Sequence, residues 1–271
     1  MTGRKVYSED YLKRELDNIS SSFRDQVTGY LIGGLAMIYH GVKNATKDVD
    51  IVFENEFEAM TFKENLLRNG FKTVNIVTNE YEKMKTFSIV EKSGTFRFDI
   101  FIRCVCDSLI LSKGMIKRAT KVPLSGNFNL FVISLEDIFL FKSITNRNDD
   151  LRDMSIIASV GLDWEMIDNE LRGQPEQWRW YTIFFQNMLA LEEEYSILSP
   201  LKSRFEKEAE ISVAMDVIIL KLESKPHTYD ELIGILGTDD ETFFRDVINR
   251  LKEKNIIFMK NGHYFLVESI R

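Results

Sequence analysis

Cysteine and histidine are scarce in this sequence, with 2 Cys and 3 His among 271 residues. Cys104 and Cys106 stand two apart in an alternating segment, form no disulfide framework, and read as buried free thiols. His40, His227 and His263 are far apart and match no zinc-ligand spacing. Any bound metal must then rest on carboxylates, which favours a hard cation such as Mg2+ or Mn2+. Long apolar runs are missing as well. None approaches the ~18 residues that cross a bilayer, and the opening MTGRKVYSEDYLKREL lacks a signal-peptide core. The expectation is a cytoplasmic protein with no membrane partner. Positive charge is in deficit, 35 Lys and Arg against 42 Asp and Glu, which argues weakly against broad coating by nucleic acid. The deficit is uneven: residues 1–160 hold 22 basic and 21 acidic groups, and the remainder hold 13 and 21.

What is present is an ordinary globular composition, 44% hydrophobic and 28% charged, long enough for about two domains. Ser8 is placed to cap a helix that opens with Glu9 and Asp10. A short strand, Tyr30 to Ile32, runs into Gly33-Gly34 and a helical stretch from Leu35 to His40. Strands are expected at Val49 to Phe53 and Phe71 to Val77, with a helix from Phe57 to Asn69 closed by Gly70. Two alternating runs, Lys85 to Glu91 and Thr95 to Arg103, meet at Ser93-Gly94 as a hairpin. From Ser134 the pattern turns helical, with Ser134 as cap and Asp137 at the capping-box position. Further helices are expected over Asp149 to Val160, Trp164 to Leu171 and Gln177 to Tyr195. The tail offers helices at Ile211 to Leu222, Tyr229 to Leu236 and Glu241 to Lys254, then a hairpin at Asn261-Gly262, which is the order of a winged helix. The fold class is α+β, divided as 1–133, a helical region 134–209, and a winged-helix-like domain 210–271.

The segment YLIGGLAMIYHGVKNATKDVDIVFE carries the chemistry. Asp48 and Asp50 have one residue between them in a strand, so both carboxylates project from one sheet face. Asp99 lies in FRFDIFI, where alternation puts Arg97, Asp99 and Phe101 on the face opposite Phe96, Phe98, Ile100 and Ile102. An acid there needs compensation, from Arg97, Arg103 or a metal. Three converging carboxylates suit a two-metal phosphoryl-transfer site. Gly33-Gly34, after a strand and at a helix start, lets backbone N–H groups approach a phosphate chain.

Gly33, Gly34, Ala36, His40, Gly41, Thr46, Asp48, Asp50 and Asp99 together resemble the nucleotidyltransferases of the DNA polymerase β superfamily. The nearest likeness is to small prokaryotic members with the form GGxAxxxHGxxRxTxDxD, a group similar to the toxins of type IV toxin–antitoxin systems. Lys142, Arg147, Asp150 and Asp153 match that group's helical motif, and Lys43 stands where it usually has Arg. The resemblance covers roughly residues 25 to 160. It implies a nucleotidyltransferase-type mixed sheet flanked by helices. It further implies Asp48, Asp50 and Asp99 as catalytic and metal-holding residues, and a nucleoside triphosphate over Gly33, Gly34 and Lys142. In that arrangement Asp99 holds a second metal and helps deprotonate the acceptor. The activity implied is transfer of a nucleoside monophosphate to a hydroxyl of tRNA, protein or a small molecule, with an antitoxin-like partner.

Several positions have a plainer reading. His40 reads as structural, Lys142 as either a phosphate ligand or a snorkelling helix lysine, and Lys113, Lys117, Arg118 and Lys121 as a solvated face or a phosphate or acceptor contact. The third tail helix opens with Asp239, Asp240 and Glu241, which suit a helix N-terminus but repel a phosphate backbone. Dimerisation or protein binding is therefore favoured over DNA for the tail, with Arg245, Arg250, Lys252 and Lys254 as the groups that would reach DNA. The competing function is a catalytically silent nucleotidyltransferase fold serving as a winged-helix regulator of DNA or protein.

Overall fold

In the computed structural model the residues described are 7–74, 85–92, 96–106, 109–145, 147–174 and 178–267. The first half contains β1 (Tyr7–Ser8), α1 (Glu9–Ser21), β2 (Val27–Ile32), α2 (Gly33–Tyr39), β3 (Ala45–Thr46), β4 (Asp48–Phe53), α3 (Glu56–Arg68), β5 (Lys72–Thr73), β6 (Ser88–Glu91) and β7 (Arg97–Ile102). It continues through β8 (Cys104–Val105), β9 (Leu109–Ile110), α4 (Lys113–Arg118), β10 (Thr120–Lys121) and β11 (Phe128–Val132). The helical region follows as α5 (Leu135–Ser143), α6 (Asn148–Ser159), α7 (Trp164–Gly173), α8 (Trp178–Tyr195) and α9 (Lys202–Ser224). The tail adds β12 (His227–Thr228), α10 (Tyr229–Leu236), α11 (Glu241–Glu253), β13 (Ile257–Lys260) and β14 (His263–Leu266).

Two compact units result: residues 1–175 with 190–198, and residues 176–189 with 199–271. The first is built on a mixed seven-stranded sheet in the order β10-β11-β2-β4-β7-β6-β5, flanked by helices. β4 lies parallel to β7 and antiparallel to β2. Strand alternation gives this sheet two unlike faces. One carries Val49, Ile51, Phe53, Phe98 and Ile100, all fully enclosed, and α3 closes it with Phe62 against Phe53, Phe98 and Phe128. Gly29 is required there, because a Cβ would sit 3.0 Å from both Ile51 and Phe53. The other face carries Val52 and Phe101 toward the C-terminal ends of β4 and β7, and charged groups toward their N-terminal ends.

Most expected elements stand within a residue or two of their places. Of the strand expected at Phe71 to Val77, β5 is the described part, and residues 75–77 lie outside the described residues, as do Thr95 and the turn Ser93-Gly94. β6 and β7 do pair antiparallel, as a hairpin requires. Three readings need correction. Ser8 precedes α1 but makes no side-chain cap; its backbone is instead paired with Ala45. Ser134 does cap α5, but Asp137 does not close a capping box: its carboxylate is fully buried against Arg118. Cys104 and Cys106 form no disulfide and are only half-buried; Cys106 turns into the left-handed region (φ +60°) and leaves the strand.

In the second unit α9 begins nine residues before the expected Ile211, so the expected 209/210 boundary falls inside a helix. The charged start of α9 is held by buried Phe205 and by Glu208, which accepts from Arg250 of α11 at 2.5 and 3.2 Å. The elements then follow the expected order, with a three-stranded sheet β12-β14-β13 and Asn261-Gly262 both at positive φ in the turn. Met215, Leu232, Phe244, Val247 and Leu251 form the core of this unit. Among the described residues no helix is long and apolar enough to cross a membrane.

Candidate active site

The first unit contains a cleft of about 520 Å³ bordered by Gly34, Asp48, Asp50, Asp99 and Lys142. These are five of the six expected site residues; the sixth, Gly33, lies directly against Asp50. Its φ of +66° suits glycine, and a Cβ on it would fall 2.2 Å from Asp50 Oδ2. Gly34 is equally constrained, since its Cβ would meet Thr46 Oγ1 at 2.5 Å. The glycine pair therefore admits a carboxylate and a threonine hydroxyl to the backbone at the start of α2. Thr46 is brought there by β3, which pairs with β1.

Asp48 and Asp50 lie on β4, and the parallel register sets Asp48 beside Arg97 and Asp50 beside Asp99. Four charged groups thus form a block on one sheet face. Arg97 donates from Nη2 to Asp99 Oδ2 at 2.7 Å, its Nε lies 2.7 Å from Asp99 Oδ1, and Nη2 is 3.2 Å from Asp48 Oδ2. Of the two arginines open to Asp99 on sequence grounds, Arg97 is the partner. Burial pushes the Asp50 carboxyl up to about 6, and the neighbouring Asp48 adds to the effect. Burial likewise raises Asp99, to about 8, helped by Asp50 and opposed by Arg97. Lys142, Arg147 and Arg97 pull Asp50 down, and Arg97 pulls Asp99 down, but burial and the neighbouring acids outweigh them at both carboxyls on the floor of the cleft.

The wall is different. Lys142 on α5 reaches Asp150 at 2.6 Å and Asp153 at 2.9 Å, both on α6. Asp150 also accepts from Thr145 at 2.5 Å and Arg147 at 2.6 Å. Burial alone would raise Asp150, but Lys142 and Arg147 outweigh it and hold the carboxyl below its usual range. Burial works to lower Lys142, and Asp150 and Asp153 reverse that. Lys43 donates to both oxygens of Asp153, at 2.7 and 2.8 Å.

The lining as a whole holds six aspartates and six Lys or Arg side chains. It is therefore electrically balanced, although the chain is not, and a polyanion accompanied by a divalent cation meets no net repulsion. Lys47, Arg152 and Arg147, the last with 42% of its side chain exposed, are the cations most open to such a ligand. Sequence reasoning passed over Lys47 and Arg152, and over Thr46 as a site residue; the close approach of Thr46 to Gly34 was readable only from the fold. Two other expectations resolve as structural. His40 Nε2 lies 2.7 Å from the Ile133 carbonyl, and Arg118 is tied to Asp137 and Glu170, leaving Lys113, Lys117 and Lys121 as the exposed part of that basic run.

The donor set fits a hard divalent cation: oxygen ligands, like charges adjacent on paired strands, and carboxyls raised by burial. Among the described residues no three carboxylate, imidazole or thiol groups are drawn together into a ready cation cage. No protein-family model matches the chain, and no curated protein matches it.

Proposed function

We propose that the chain is a metal-dependent nucleotidyltransferase, moving a nucleoside monophosphate from a nucleoside triphosphate to an acceptor hydroxyl and releasing pyrophosphate. The observation that carries this reading is the register pairing of Asp50 with Asp99 directly against Gly33, whose lack of a side chain makes the approach possible. Asp48 and Asp50, with Asp99 behind them, are the groups that would hold a Mg2+ or Mn2+ ion. When bound, the ion supplies charge neutralisation to the polyphosphate and Lewis acidity at the transferred phosphoryl group. Backbone N–H groups at Gly33-Gly34 offer the phosphates a close approach. Lys47, Arg147 and Arg152 meet the remaining negative charge, while Lys142 is held by Asp150 and Asp153 and acts from the wall. The acceptor oxygen forms its bond to the α-phosphorus as the α–β bridge breaks.

Purified protein given labelled ATP, CTP, GTP or UTP with Mg2+ should label tRNA, a protein side chain, a small acceptor or itself. Asp50→Ala should lower that labelling at least about 10³-fold, on the scale of losing a key electrostatic group. Labelling that survives the change overturns the proposal. One observation favours a silent, regulatory reading instead, namely that Arg97 already occupies Asp99; full-strength nucleotide binding without any transfer would support it. For the tail, we propose a winged-helix-type interaction module that binds protein or a second copy of the chain rather than DNA. Arg250 supports this, because Glu208 and Asp246 hold it within the unit, away from a phosphate backbone. DNA binding that strengthens as salt falls and disappears on Arg245→Glu would reverse the preference.

A further inference from the structure

Arg97 is only 3% exposed, in the middle of a block that otherwise holds three carboxylates. Its fork meets Asp99 with two nitrogens, each 2.7 Å from a different oxygen, and one of them continues to Asp48 at 3.2 Å. The two ends of this bridge differ in access: 25% of the Asp48 side chain is exposed, against 3% of Asp99. An ion entering from the cleft therefore meets Asp48 and Asp50 first. To reach Asp99 it must displace a guanidinium that donates to one of its oxygens and lies 2.7 Å from the other. That guanidinium does not lose its proton in a protein, so its charge is permanent. A divalent ion beside it at ~4 Å would be repelled in a poorly solvated setting. With all three carboxyls ionised, as a bound cation favours, three carboxylates and one guanidinium leave a charge of -2, which one divalent ion neutralises.

We infer that this site takes a single divalent cation, on Asp48 and Asp50, and that Arg97 clamped on Asp99 is the fixed positive charge in place of a second ion. The inference rests on the nucleotidyltransferase reading of the cleft and narrows it from two ions to one. Arg97 is thus a positioning residue, acting through Asp99 and Asp48, and Asp99 is its anchor.

The test counts Mn2+ on the full chain by equilibrium dialysis and electron paramagnetic resonance, with a nucleoside triphosphate analogue carrying a non-cleavable α–β bridge at saturation. The wild-type protein should hold one equivalent, with the spectrum of an isolated ion. Arg97→Met should rise to two equivalents with the spectrum of an exchange-coupled pair. Arg97→Met combined with Asp99→Asn removes the buried charges together and should return to one. Two ions in the wild-type protein overturn the inference while leaving the nucleotidyltransferase reading intact, and so does a folded Arg97→Met that still holds one. No ion in the wild-type protein or in the variants removes the cation reading of the site itself. Should Arg97→Met fail to fold, the wild-type count and the double variant decide the question.

Discussion

The cleft sets two groups of aspartates side by side, and their surroundings are opposite. On the wall, Asp150 is buried yet held below the ordinary carboxylate range, because Lys142, Arg147 and Thr145 converge on it. On the floor, Asp50 and Asp99 are pushed up, because burial and neighbouring acids outweigh Lys142, Arg147 and Arg97 at Asp50 and Arg97 at Asp99. Asp150 is satisfied by the groups that touch it, whereas the floor carboxyls stay raised although Lys142 and Arg147 also act on Asp50, and an incoming cation would relieve them. Neighbouring aspartates thus divide into a structural set and a candidate functional set by whether the cations in direct contact outweigh burial and the acids beside them.

Substitutions test that division. The largest stability effect is expected from Asp150→Ala, which takes away the anion shared by Lys142, Arg147 and Thr145. It should cost about 3 kcal/mol in urea melts, and a cost below about 1 kcal/mol would put the wall on the same footing as the floor. Next comes Gly33→Ala, which meets both a left-handed backbone and Asp50 Oδ2 at 2.2 Å. A loss of about 2 kcal/mol is expected, against about 1 kcal/mol for Gly41→Ala, which has φ +73° and nothing within 4 Å of its added Cβ. Equal losses would show that backbone conformation alone keeps Gly33 a glycine.

The smallest expected effect has the opposite sign. Asp50→Asn should stabilise the cation-free protein by about 1 kcal/mol at pH 8, because the charged form of a carboxyl raised to about 6 is the unfavourable one. In the wild-type protein that group's contribution is fully present below its unfolded value near pH ~4 and is lost as pH rises through about 6. The advantage of asparagine should therefore vanish below pH ~4 and grow to a plateau above pH ~7. Denaturant midpoints at pH 4, 6 and 8 would reveal this, and a variant less stable at pH 8 would mean that Asp50 is already satisfied.

Much of the arrangement was legible in local pattern. Two acids one residue apart in a β segment share a face, a glycine pair after a strand marks a close backbone approach, and Asn261-Gly262 between alternating runs marks a two-residue turn. Each depends on rules that act within a few residues. Apart from the local turn at Cys106, the errors involve distant partners. Asp137 sits where a capping box would use it, but Arg118, 19 residues earlier, took its carboxylate. The charged opening of α9 carries no strong apolar signal, and Glu208 becomes a buried residue there because Arg250, 42 residues on, meets it. Lys142 falls in the cleft as anticipated, yet what it touches is Asp150 and Asp153.

The amino-acid order therefore settled which groups stand on the charged face of β4 and β7, since strand alternation is a property of consecutive residues. It did not settle which acid keeps a cation of its own. That depends on β7 lying parallel to β4 with Arg97 opposite Asp48, and on α6 bringing Asp153 to Lys43 across 110 residues. Ion pairing falls off over a few ångströms, and only the folded chain sets distances on that scale.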